Sequence, residues 1–204
     1  MRSVVSFFLF FACLSVFAND SGKWELIDDD EDLKLYTRAV PNSKIKEVKA
    51  EAFIKGTIKE ACDILFDRLK HPQYFKYIEH SEVLKRTKKC DWSYNVIDTP
   101  MVYDRDYLVK SCEVKNPDGS VSVTWEPFTD PKYPEKEKKV RVKINKGYWK
   151  FTQAGPDKLK IDYYIYTDPA GSLPLWIKNI ANKKAVPNTI KDVENQIKKN
   201  RSKK

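Results

Sequence analysis

The sequence predicts an α+β fold: a run of antiparallel strands between one early helix and one long C-terminal helix. Three observations carry this. Apolar and polar residues alternate with period two through much of residues 83–165, a helix-start signal stands at Thr57, and apolar residues recur at spacings of three and four from Trp176 to Ile197. The 204 residues fit one domain with tails, and 13% aromatic residues argue against disorder.

In chain order, residues 1–18 read as a secretory signal, with Arg2, a short apolar run and Val16-Phe17-Ala18 before Asn19-Asp20. Cys13 after Ala12 raises a lipoprotein reading, which Phe10 disfavours. The remaining residues, 19–204, form one domain with a basic tail. Residues 19–32, ending in Asp28-Asp29-Asp30-Glu31-Asp32, read as a turn or solvated loop. Strands follow over 33–40 and 45–54. Gly56 ends the second, and Thr57 with Glu60 three residues later forms a capping box for a helix carrying Ile58, Ala61, Cys62, Leu65, Phe66 and Leu69. Pro72 closes that helix, and an aromatic link holds Tyr74, Phe75, Tyr77 and Ile78. Paired strands are expected over 83–88 and 92–98, and a hairpin over 107–115 and 121–127 around Asn116-Pro117-Asp118-Gly119. Residues 127–139, with three prolines, are the longest irregular stretch and an expected lid. Val140, Val142 and Ile144 alternate with Arg141, Lys143 and Asn145, Trp149 and Phe151 continue the pattern, and Leu159, Ile161, Tyr163 and Ile165 mark the last strand. A helix is expected from about Leu173, interrupted at Pro187.

The chemistry-bearing residues are sparse. His71 and His80 lie in no catalytic motif, and no HExxH, GxSxG or phosphate-loop pattern is present. Asp104 and Asp106 share one face of a strand and Arg105 the other. No metal-ligand spacing occurs, so no catalytic residue, metal or cofactor is assigned. Cys62, Cys90 and Cys112 read as small buried hydrophobes; an oxidising compartment would also allow one disulfide, and spacing does not choose the pair. The net charge is +9, and loss of Arg2 with the signal leaves +8. Residues 178–204 hold nine basic and two acidic side chains with no interleaved rings, which fits transient contact with an anionic membrane better than nucleic-acid binding. A monomer is expected.

Four segments resemble the START (StAR-related lipid transfer) family of the Bet v 1-like superfamily. They are Val48-Lys49-Ala50-Glu51 with Gly56-Thr57; Thr99-Pro100-Met101-Val102-Tyr103-Asp104-Arg105-Asp106-Tyr107; Gly147-Tyr148-Trp149-Lys150-Phe151; and Asp168-Pro169-Ala170-Gly171-Ser172-Leu173-Pro174-Leu175-Trp176. Asn179 and Pro187 also fit. The resemblance spans roughly residues 30–197 and lacks the longer N-terminal helical region of many animal members. It implies a helix-grip fold, a curved antiparallel sheet around a long C-terminal helix that encloses a hydrophobic cavity. It also implies noncovalent binding of one lipid or other hydrophobic ligand and transfer between membranes, without a cofactor. An enzyme of the same fold, of cyclase or hydrolase type, is the alternative.

The expected cavity wall is Tyr94, Val96, Val123, Trp125, Trp149, Phe151, Tyr164, Tyr166, Trp176, Ile177 and Ile180, with Tyr163 and Ile165 competing with Tyr164 and Tyr166 for the inner face. The resemblance turns Arg105 towards a polar or anionic head group; an ion pair with Asp98 or Asp104 is the other reading. The mouth is expected between residues 127–139 and the start of the last helix.

Overall fold

The computed structural model describes residues 22–99 and 102–203, without the side chains of residues 175–182. The signal segment, Pro100, Met101 and the wall side chains Trp176, Ile177 and Ile180 therefore lie outside the described residues. The strands are β1 (Glu25–Asp30), β2 (Leu33–Arg38), β3 (Glu47–Ile54), β4 (Ile78–Arg86), β5 (Cys90–Ile97), β6 (Asp104–Lys115), β7 (Val121–Pro127), β8 (Lys139–Arg141), β9 (Ile144–Gly155) and β10 (Lys158–Asp168). The helices are α1 (Ile58–Phe66), α2 (His71–Tyr74) and α3 (Leu175–Arg201), with a 3-10 turn at Arg68–Lys70 that holds the exposed Leu69, expected on the first helix, because α1 already ends at its cap Asp67. The strands form one sheet in the order β1-β2-β3-β10-β9-β7-β6-β5-β4, antiparallel throughout, while β8 pairs parallel with β6.

Residues 25–30 were expected in a loop and instead form β1 on the sheet edge. Its side chains are almost all exposed, so it shows no apolar alternation to read. Lys139–Arg141 and Ile144–Gly155 are separate strands, because the chain leaves β6 at Val142, whose N–H still donates to Asp106 O. The capping box is present. Thr57 Oγ1 accepts from Glu60 N, and the Glu60 carboxylate accepts from Thr57 N at 3.0 Å. Glu60 also takes two hydrogen bonds from Arg201, at 2.7 and 2.8 Å, which ties the end of α3 to the start of α1.

Directly opposed residues in a ladder project to the same side. One row runs Ala50, Tyr163, Trp149, Val123 and another Ala52, Ile161, Phe151, Val121. This inner face meets Val186, Ile190, Val193 and Ile197 of α3, spaced four, three and four residues apart, and Ala61, Ile64 and Leu65 of α1 in one core. Phe151 and Ile161 have no exposed surface, so truncating Phe151 to Ala costs about 3–5 kcal/mol. α3 runs continuously through Pro187, contrary to the expected interruption. The N–H that Pro187 lacks would have served the carbonyl of Lys183, an exposed position where water can take its place.

Cys90 and Cys112 stand opposite each other on β5 and β6 and form a disulfide, while Cys62 is free and buried. The reading of all three as plain buried hydrophobes thus holds for Cys62 alone.

Candidate functional site

β4, β5 and β6 continue the inner face with a different chemistry. Row by row it carries Ile78, Ile97 and Arg105; then Ser81, Asn95 and Tyr107; then Val83, Ser93 and Val109; then Arg86, Asp91 and Ser111. Ser81, Asp91, Ser93, Asn95, Arg105 and Ser111 are all buried. Ser81 Oγ donates to Asn95 Oδ1 at 2.7 Å, and Asn95 Nδ2 donates to Ser93 Oγ at 3.0 Å. Asp91 accepts two bonds from Arg68, at 3.0 and 3.2 Å, and a longer one from Arg86.

Arg105 is 4% exposed and forms no ion pair with a carboxylate among the described residues. Its Nε donates to Pro169 O at 3.2 Å and its Nη1 to Tyr103 O. Burial lowers its pKa, against the charge of the adjacent Asp104. Ala170 and Gly171 follow Pro169 with φ of 54° and 65° and turn the chain into α3. Arg105 therefore joins the β5–β6 loop to the β10–α3 loop. Asp104 and Asp106 lie on the opposite face. Asp104 pairs with Lys139, and Asp106 takes two bonds from Arg141, at 2.8 and 2.9 Å.

Tyr107 retains some accessible surface, yet burial pushes its phenol up to about 12. Tyr163 belongs to the same environment: its phenol is also raised by burial and by the nearby Tyr107.

Of the expected wall residues, Val123, Trp149 and Phe151 lie together on the inner face with Tyr163. Trp125 packs against them and donates from Nε1 to Asn145 Oδ1 at 3.0 Å. Trp149 meets Tyr163 edge-on at 4.5 Å, and Trp125 lies 5.7 Å from it. Tyr164 and Tyr166 are on the outer face, which leaves Tyr163 and Ile165 inside. Tyr164 stacks on Tyr148 and donates to Glu47, and Tyr166 donates to Ser43. Asp162, two residues from Tyr164, carries the signal, because its charge marks that parity as outer.

Tyr94 and Val96 are outer as well. They cluster with Leu108 beneath Phe128 and Tyr133, and Tyr94 donates to Asp106 at 3.0 Å. The 127–139 segment thus covers the outer face of β5 and β6 through Phe128 and Tyr133, in place of the mouth expected of it. Sequence reasoning missed Tyr107, Asn95 and Ser93, because polar inner residues invert the usual reading of alternation.

A groove of about 430 Å³ on the outer face is lined by Lys49, Glu51, Tyr148 and Lys150, among others. Its charges are matched within the protein, Lys49 by Glu51 and Lys150 by Asp118. Arg105, buried and paired with no carboxylate among the described residues, is on the other face. Among the described residues no cluster of His, Cys, Asp and Glu could hold a metal, and no helix is long and apolar enough to cross a membrane.

No family model matches the chain. An uncharacterized protein of Pseudomonas aeruginosa is 28% identical over 178 residues, covering 86% of this chain and 87% of that protein. The phosphatidylcholine transfer protein of Bos taurus is 24% identical, covering 83% and 82%. Among solved structures, the STAR-related lipid transfer protein of Xanthomonas axonopodis superposes with a TM-score of 0.78 at 27% identity, over 86% of this chain and 98% of that one. The sheet order, the C-terminal helix and these likenesses give the chain the helix-grip fold of the START (StAR-related lipid transfer) domains to which it is similar.

Proposed function

We propose that the chain binds one lipid between the inner face of its sheet and α3 and carries it between membranes, working as a monomer outside the cytoplasm after losing residues 1–18. The observation that carries this is the inner face itself, where the rings of Trp125, Trp149 and Tyr163 share one surface with Arg105, a buried cation that pairs with no carboxylate among the described residues. The likeness to lipid transfer proteins supports it. The Cys90–Cys112 disulfide supports an oxidising compartment.

The energetics define the task. Burial of one CH₂ is worth about 0.8 kcal/mol, so a lipid with roughly 30 methylenes faces about 24 kcal/mol on passing through water bare. Partly buried apolar side chains of the inner face, such as Ile78, Trp125 and Ile165, are the surface against which its chains would lie. The mouth is assigned to the junction that Arg105 ties, between the β5–β6 and β10–α3 loops. There Val102 and Tyr103 are 43% and 64% exposed and can enter a membrane surface, with the basic end of α3 adding attraction to anionic lipid. No catalytic step is assigned.

The test is native mass spectrometry of protein purified from its own compartment, alongside vesicle-to-vesicle transfer of labelled lipid. One bound lipid per chain and catalysed transfer are expected. Empty protein together with no transfer from any vesicle would refute the reading.

A further inference from the structure

The groove on the outer face lies over two rows of directly opposed residues that cross β7, β9, β10 and β3. One row runs Thr124, Tyr148, Tyr164, Lys49 and the next Ser122, Lys150, Asp162, Glu51. Its volume of about 430 Å³ falls in the range of small-molecule sites. Three strand spacings, about 14 Å, separate its two ends.

The charges of the groove cancel pair by pair. Lys49 meets Glu51 at 2.8 Å, Lys150 meets Asp118 at 2.9 Å and Asp162 meets Lys160 at 3.2 Å. An incoming ion would have to compete with these pairs. An acyl chain would cover charges and hydroxyls at a cost. A peptide strand cannot add here, because β7, β9, β10 and β3 are each paired along both edges. What the walls offer is hydrogen bonding of both senses. The hydroxyls of Thr124 and Tyr148 have no partner among the described residues. Ser122 Oγ accepts from Asn116 at 2.9 Å and keeps its own hydrogen to give. The carboxylates of Glu51 and Asp162 retain lone pairs beside their lysines.

Rings supply a second, independent feature. Tyr148 stacks on Tyr164 with centroids 5.5 Å apart, and Trp24 meets Tyr164 edge-on at 6.3 Å. All three are only partly covered, so this solvent-facing strip presents flat apolar surfaces with polar tips. A molecule without net charge that carries hydroxyls around its rim and C–H groups on its flat faces matches the groove and the rings together.

We infer that the groove is a second binding site, for a neutral oligosaccharide. Its hydroxyls meet Thr124, Ser122, Glu51 and Asp162, and one of its rings lies on Tyr148. The span of about 14 Å exceeds one sugar ring, which favours an oligomer over a monosaccharide. The groove is on the opposite side of the sheet from α3, so it fills independently of the lipid-binding face.

The experiment titrates the mature chain, residues 19–204, with maltotetraose, cellotetraose and chitotetraose, and with glucose and tetragalacturonate as the monomeric and anionic counterparts, following the amide resonances by NMR. At least one neutral tetramer is expected to bind with a Kd of about 1 mM or tighter, shifting resonances of β7, β9, β10 and β3. Glucose and tetragalacturonate are expected to bind at least about tenfold more weakly. Tyr148→Ala is expected to weaken the neutral tetramer about tenfold, the scale of one aromatic contact. Thr124→Val, which keeps the β-branch at an exposed strand position and removes the hydroxyl, is expected to weaken it several-fold; it decides the matter if Tyr148→Ala fails to fold. No shift with any neutral tetramer at about 10 mM would overturn the inference. So would tighter binding of tetragalacturonate, shifts confined to other strands, or folded variants with unchanged affinity.

Discussion

His71 makes the stability of this protein sensitive to mild acid. The side chain is 5% exposed and packs edge-on against Phe75. Its Nε2–H points at Leu65 O, 3.1 Å away, and Ile64 O, 3.3 Å away, carbonyls of the last turn of α1, of which Ile64 O also takes the Asp67 N–H at 3.4 Å. Burial, and then the charge of Arg68, lower its pKa to about 3 from an ordinary 6.5. The folded chain therefore refuses a proton that the unfolded chain accepts below about pH 6.5. Stability is full above that pH and falls by about 1.4 kcal/mol per unit down to about pH 3. Between pH 7 and pH 5 the loss is about 2 kcal/mol, a large share of the roughly 5–15 kcal/mol typical of a domain. The assay is urea unfolding at both pH values for the wild type and for His71→Gln, whose amide can donate to the same carbonyls and cannot ionise. The wild type is expected to lose about 2 kcal/mol more than the variant over this interval. Equal losses in the two proteins would refute the assignment, because all other groups cancel in the comparison.

Three further outcomes follow from the structure. Arg105→Met is expected to lower anionic-lipid loading at least tenfold by native mass spectrometry, in line with about 1.5–3 kcal/mol for a charged hydrogen bond, while the chain stays folded by circular dichroism. Opening the Cys90–Cys112 disulfide, which spans 22 residues, is expected to cost about 3 kcal/mol; a urea midpoint unmoved by reductant would show that the β5–β6 ladder alone sets the constraint. Gly147→Ala would put a Cβ 2.1 Å from Tyr164 O and 2.5 Å from the Trp125 indole, whereas a Cβ at Gly155 meets its nearest neighbour at 3.6 Å. Gly147→Ala should therefore unfold or lose more than about 3 kcal/mol and Gly155→Ala almost none, as thermal melts would show.

The fold was legible where one face of an element is wet. β7 is predicted to the residue, the capping box at Thr57 is present, and the charges of Asp104 and Asp106 place Arg105 opposite them. Legibility failed where both faces are covered. In β5 the outer Tyr94 and Val96 are sealed by Phe128 and Tyr133, and the inner Asp91, Ser93 and Asn95 are buried against the site. Alternation then points the apolar set inward when it faces out. β1 failed for the opposite reason, since it is paired by backbone alone and exposes nearly every side chain. The disulfide depends on which strands are neighbours, and spacing along the chain does not give that.

The placement of polar residues is itself an argument about function. The described part of α3 packs against β2 and β3, where the inner face is Leu35, Val48, Ala50 and Ala52. Across the sheet the same face turns to Ser93, Asn95, Tyr107 and Ser111. Each buried donor left unpaired costs about 1–3 kcal/mol, so the hydroxyls of Ser93 and Ser111, which donate to no described residue, weigh noticeably against the roughly 5–15 kcal/mol net stability of a domain. Folding alone would favour Val or Leu at these positions, as it does at Val109 between Tyr107 and Ser111. The cost is removed only if something with acceptors occupies the space, water in the empty state and a ligand in the loaded one. A head group that replaces those waters regains their hydrogen bonds, and its chains meanwhile lie against Ile78, Trp125 and Ile165. Binding is thus strongest for a molecule whose acceptors and apolar chains are divided as the two halves of the sheet are.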